Sequence, residues 1–167
     1  EYGETYRTIF LLMAYTGLDI GDVIGLDRSH VTKDGFILKD RGKTNERICA
    51  YLWEDARSLL KEIKVAGISG KFFNVPNNKA VTTAVLRAFK KEKVKGNSKA
   101  LRHLASSILF NEGLSDRLIK KFIGHSENSR QTDVYLHADK NKIEQGFQGF
   151  KKLALEHEKL IENGGGN

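Results

Sequence analysis

Cysteine, proline, tryptophan and methionine each occur once among the 167 residues, and these scarcities exclude several kinds of protein. The lone Cys49 has no second thiol in the chain, so a small secreted scaffold held by internal disulfides is excluded and a reducing interior suits the protein. With one cysteine, the histidines at His30, His103, His137 and His157 show no metal-ligand spacing, and no zinc site is expected. Apolar runs fall short of the roughly 18–20 residues that a membrane span needs. No basic-then-apolar leader opens the chain, and the only low-complexity tract is Gly164-Gly165-Gly166. The expectation is an intracellular protein that makes no use of a membrane.

Positive charge is what the sequence has in excess. Lys and Arg outnumber Asp and Glu by 28 to 21, a net charge of +7, which favours a polyanionic partner and nucleic acid first. Solvated surface lysines would produce the same balance, so charge alone does not decide. The hydrophobic content of 40% is enough for one core at this length.

Apolar periodicity divides the chain into short elements. Thr5 to Tyr15 reads as a largely buried helix ended by Thr16-Gly17, and Asp22 to Leu26 as one further helical turn. Val31 and Phe36-Ile37-Leu38 read as a strand interrupted by the turn-prone Lys33-Asp34-Gly35. Asp40 to Asn45 has hairpin-turn composition, and Arg47 to Leu52 is its return strand, which puts Lys43 at or near a hairpin tip. Trp53 to Ala66 is an amphipathic helix with Ala56, Leu59, Leu60 and Ile63 inward, closed by Gly67, and Phe72-Phe73 suits an edge strand. Then follow a basic helix from Thr82 to about Lys93, a helix capped by Ser98 and reaching Glu112, one capped by Ser115 and ending near Ile123-Gly124, a short one over Thr132 to His137, and a last one from Lys140 to Leu160. The last carries an apolar stripe from Ile143 to Leu160 that must be buried, and packing on its own domain is the simplest way to bury it. The fold class is mainly α with a small antiparallel β-sheet near Gly35 to Leu52. Residues 1–160 read as one domain, with 161–167 as a tail.

The chemistry concentrates in Ser98-Lys99-Ala100-Leu101-Arg102-His103. Lys99 and Arg102 lie three apart and share a helix face, so two cations point together. Phe122-Ile123-Gly124-His125 follows, with a glycine that frees His125 from helical geometry, and Tyr135 comes ten positions later. Taken singly, each has an ordinary structural role: Tyr135 as a core aromatic, His125 at a helix end, Lys43 in a solvated turn. Their order, Lys, Arg, His, Tyr, is the signal.

This order resembles the tyrosine recombinase family, also called phage integrases, whose late motifs read H-x-x-R, L-G-H and a nucleophilic Tyr. Upstream, Thr16-Gly17-Leu18 followed by Asp22-Val23 and Leu26 resembles the family's T-G-L-R-x-x-E-h-x-x-L box, and Arg41 to Arg47 resembles its lysine-bearing hairpin. The resemblance spans about Thr5 to Tyr135. It implies a recombinase catalytic-domain fold, no metal or nucleotide cofactor, and duplex DNA as partner, with self-association on DNA, one route being the C-terminal helix. It further implies site residues. Tyr135 is the nucleophile that forms a 3′-phosphotyrosyl link, and Arg102 forks two donors onto phosphate oxygens. Lys43 protonates the leaving 5′-oxygen, His125 contacts phosphate or handles the nucleophile's proton, and Lys99 fills the first slot of H-x-x-R, as in integrases of some archaeal viruses. Lys90, Lys91, Lys93, Lys95 and Arg41 are expected to contact DNA.

One letter departs from the pattern in sign. Asp19 stands where the family has its first arginine. At about 4 Å from a phosphate and an effective dielectric near 20, this turns roughly 4 kcal/mol of attraction into similar repulsion. An inactive form, rescue by Arg28 or Arg7, and a misaligned box all account for it. The function expected is therefore site-specific DNA recombination, with a catalytically impaired DNA-binding module as the alternative. A type IB topoisomerase fits less well, because the Arg102 to Tyr135 segment is compact.

Overall fold

The computed structural model describes residues 2–40, 47–52, 54–63, 70–123, 148 and 152. Its first helix, α1 (Tyr2–Thr16), is the hub, with Ile9, Leu12 and Met13 buried. The short helix α2 (Ile20–Ile24) follows, and then one 3-10 turn at Arg28–His30. Strands β1 (Phe36–Asp40) and β2 (Arg47–Tyr51) pair antiparallel, with Phe36 opposite Tyr51 and Asp40 opposite Arg47. Helices α3 (Glu54–Glu62), α4 (Asn78–Lys91), α5 (Ser98–Asn111) and α6 (Asp116–Phe122) complete the described domain. Helix α1 packs on α2, α3, α4 and α5, while α6 lies against β2. The architecture is mainly helical with one small antiparallel sheet, as the patterning implied.

Some local readings change. Helix α4 begins at Asn78, four residues before Thr82, because the Asn77 side chain accepts the Ala80 N–H at 3.0 Å and caps it. Asn97, and not Ser98, caps α5: its Oδ1 accepts the Lys99 N–H at 2.9 Å, and Ser98 is the first helical residue. Phe72-Phe73 forms no strand. Lys71 makes an isolated bridge to Asp27, and the two phenylalanines are buried in the core. The close of α4 falls where it was expected, at about Lys93, which follows the last helical residues at φ +56. The Lys93 N–H bonds the Lys90 carbonyl and that of Val94 bonds Phe89, the closing pattern that usually takes glycine. Gly96 serves close packing, since a β-carbon there would stand 2.8 Å from the Phe89 ring. The Ser115 cap is found, its hydroxyl 3.4 Å from the Leu118 N–H. The hairpin tip, Trp53, Gly67, the segment carrying His125 and Tyr135, and most of the final helix lie outside the described residues. Within that last stretch Gln148 and Lys152 are helical, and Lys152 pairs with Glu112 at 3.3 Å.

Candidate active site

The T-G-L box becomes a tight exit from α1. Thr16 is buried, donates its hydroxyl to the Leu12 carbonyl at 2.6 Å and accepts the Leu18 N–H at 3.3 Å. Gly17 adopts φ +66, and a β-carbon there would stand 2.5 Å from Cγ2 of Ile123 and 3.3 Å from Cβ of Ala105. Only glycine provides both that backbone angle and that approach. Leu18, Val23 and Leu26 are fully buried and Asp22 is buried, so every apolar letter of the box faces the core. Lys39 on β1 donates Nζ to the Asp22 carbonyl at 3.0 Å, tying the hairpin to α2.

Asp19 is exposed and is the N-cap of α2: its Oδ1 accepts the Asp22 N–H at 2.9 Å. A carboxylate performs this capping and a guanidinium cannot, because capping requires an acceptor. Of the two cations considered for rescue, Arg28 lines a cavity beside α3. Arg7 is exposed on α1, nine residues or about 14 Å along the axis from Thr16, and so belongs to the other half of that helix.

Arg102 is half-buried on α5, and its Nη2 donates to the Ile123 carbonyl at 2.7 Å. This bond spans 21 positions and joins the two late motifs just ahead of Gly124-His125. Ala105, one turn along from Arg102, touches Gly17, so Arg102, Ile123 and the box converge at one end of the α1–α5 packing. Lys99 is exposed in the first turn of α5, one turn before Arg102. Lys90 and Lys91 end α4, and with Lys93 and Lys95 they are all exposed, forming a positive edge. Lys43, Arg41, His125 and Tyr135 lie outside the described residues. Among the described residues, no group of histidines, cysteines or carboxylates could hold a metal ion, and no helix is long and apolar enough to cross a membrane.

Reading along the chain missed Arg57. Its Nε donates to the Leu52 carbonyl at 2.9 Å and its Nη2 to that of Asp34, so one guanidinium holds both ends of the hairpin. On a helical wheel Arg57 is one more polar-face residue of α3, and nothing in the spacing ties it to Asp34.

Comparison with known proteins follows the same lines. The model of the Phage integrase family matches residues 2–142. Tyrosine recombinase XerC of Corynebacterium glutamicum is 28% identical over 152 residues, which is 83% of this chain and 48% of that protein, so the chain spans about half the length of this relative. The integrase from mycobacterium phage Brujita superposes with a TM-score of 0.71 at 18% identity, covering 87% of this chain and 51% of that one. A lambda integrase dimer bound to a COC′ core site gives a TM-score of 0.60 at 21% identity, covering 74% and 50%. At these identities the structural likenesses show the fold, which is that of tyrosine recombinase catalytic domains.

Proposed function

The chain belongs to the phage integrase family, and from that premise we propose that it breaks and rejoins duplex DNA at a specific site through a covalent tyrosyl intermediate. The observation that carries this reading is the Arg102 to Ile123 bond, which holds a phosphate-seeking guanidinium against the residue two before His125. The lambda integrase dimer on core-site DNA supports duplex DNA as the partner and self-association upon it.

In this reading the phenol oxygen of Tyr135 attacks the scissile phosphorus as the bond to the 5′-oxygen breaks. The phenol proton passes to His125 or water, and Lys43 donates a proton to the departing 5′-oxygen. One phosphoester replaces another, so the returning 5′-hydroxyl can reverse the step without added energy. Arg102 supplies charge-assisted donors to the non-bridging oxygens, with Lys99 beside it on α5, and the work of the site is positioning and charge stabilisation. Lys90, Lys91, Lys93, Lys95 and Arg41 hold the backbone of the duplex, and binding weakens steeply with salt.

Asp19 favours a second reading, a recombinase-fold DNA-binding module with little cleavage, because its carboxylate is committed to capping α2. Covalent trapping separates the two. The protein, Asp19→Arg and Tyr135→Phe are each incubated with nicked suicide DNA from the element's own attachment site, and a denaturation-resistant adduct is sought. An adduct from the unaltered chain that Tyr135→Phe abolishes supports the recombinase. An adduct only with Asp19→Arg identifies a site disabled by one residue. DNA that is bound and never joined supports the binding module.

A further inference from the structure

Where β1 begins and β2 ends, a cavity of about 560 Å³ opens between the 3-10 turn, the strands and α3. Four cations stand around it: Arg28, Lys33, Arg57 and Lys61. No carboxylate lines it among the described residues, and none of the four is ion-paired there. Apolar side chains line the rest of it, with the buried Leu52, Leu60 and Phe72 forming its floor.

Arg57 is built into this place. Its guanidinium sits over Gly35, where a β-carbon would overlap it, and lies 5.8 Å from the Tyr51 ring centroid. Two of its five N–H groups are used on the Leu52 and Asp34 carbonyls, which fixes the plane, and among the described residues no carboxylate pairs with the charge and the other three donors have no acceptor. Clustering four like charges at a concave, partly apolar site is unfavourable until an anion enters.

The lining selects among anions. Thr32 is the one uncharged hydrogen-bonding side chain among the described lining residues, too little to read the edge of a nucleobase. A duplex backbone is a hydrophilic ridge with nothing to offer Leu60 and Phe72. Several carboxylates around one large apolar side chain match both the rim and the floor. We propose that this cavity docks an acidic peptide segment of a partner protein, its carboxylates on Arg28, Lys33, Arg57 and Lys61 and one apolar side chain on the floor. The site is separate from the DNA chemistry proposed above and does not depend on it.

Fluorescence polarisation tests this with a labelled peptide of alternating glutamate and glycine around one phenylalanine. Lys33→Glu and Lys61→Glu are both at exposed positions, and each should weaken binding about fivefold and together more than tenfold. Replacing the peptide's phenylalanine with serine should cost about tenfold. Lys79→Glu, the same charge change at an exposed position on α4, should leave binding unchanged, and circular dichroism melts confirm that the variants fold. No binding by the unaltered chain, equal loss with Lys79→Glu, or indifference to the phenylalanine overturns the proposal. Displacement of the peptide by random-sequence duplex, with Lys33→Glu and Lys61→Glu weakening DNA binding equally, would assign the cavity to the DNA face and overturn it as well.

Discussion

Gly17 and Ile123 touch so closely that no side chain fits between them: a β-carbon on Gly17 would stand 2.5 Å from Ile123 Cγ2. The contact joins the end of α1 to the residue whose carbonyl holds Arg102. Gly17→Ala combines a left-handed backbone angle with overpacking, and should lower stability by roughly 2–4 kcal/mol. Urea unfolding would show this as a reduced midpoint at unchanged slope.

Arg102→Ala removes a charge-assisted bond to the Ile123 carbonyl and, on the proposed function, the main phosphate clamp. Stability should fall by about 1–3 kcal/mol, and the yield of covalent DNA adduct by about 10²-fold or more. Quantitative trapping beside a denaturation curve checks both. An unstable protein with undiminished adduct would remove Arg102 from the site.

Asp19 has a structural duty that constrains any attempt to restore the family's arginine. Asp19→Asn keeps an acceptor and should hold stability within a few tenths of a kcal/mol. Asp19→Ala and Asp19→Arg should each lose about 1 kcal/mol through the missing cap of α2. Thermal melts of the three variants test this independently of DNA, so a gain of cleavage in Asp19→Arg should come with a less stable protein.

Lys93 and Gly113 close successive helices with the same pair of backbone bonds, at φ +56 and φ +86. A lysine there holds an angle that glycine adopts without strain. Lys93→Gly should stabilise the protein by about 0.5–1 kcal/mol and, if Lys93 contacts a phosphate, reduce the salt dependence of DNA binding by about one ion. Melting and salt titration read the two effects separately.

Asp27 supplies a pH test. The Ser29 hydroxyl, 2.5 Å from its Oδ1, holds its carboxyl below the usual carboxylate range against the opposing effect of burial, helped by the Ser29 N–H and by His30. A carboxyl lowered in the folded state adds stability that is present above its unfolded pKa of about 3.9 and is lost as pH falls through the folded value. Ser29→Ala should therefore melt below the parent at pH 5 to 6, with the gap narrowing toward pH 3.

Local rules made much of this protein legible from its sequence. The helical period of α1, α3 and α5, the Lys33-Asp34-Gly35 turn, the hairpin strands and the Ser115 cap all depend on near neighbours, and the mainly α class follows from them. The ordered Lys99, Arg102, His125 and Tyr135 pointed to the family because motif order is linear information. Competition among adjacent residues moved the boundaries: Asn77 caps a helix expected to begin at Thr82, and Asn97 takes the capping role expected of Ser98.

What the chain alone could not specify is anything that joins distant segments. The placing of Arg102 on Ile123, the clearance that makes Gly17 obligatory, and the seating of Arg57 over Gly35 arise only when helices and hairpin pack, since side-chain contacts across 21 to 106 residues leave no period to read. Asp19 shows the division within one residue. Its sequence position marks a missing arginine, and only the folded chain shows that its carboxylate accepts the Asp22 N–H and starts a helix.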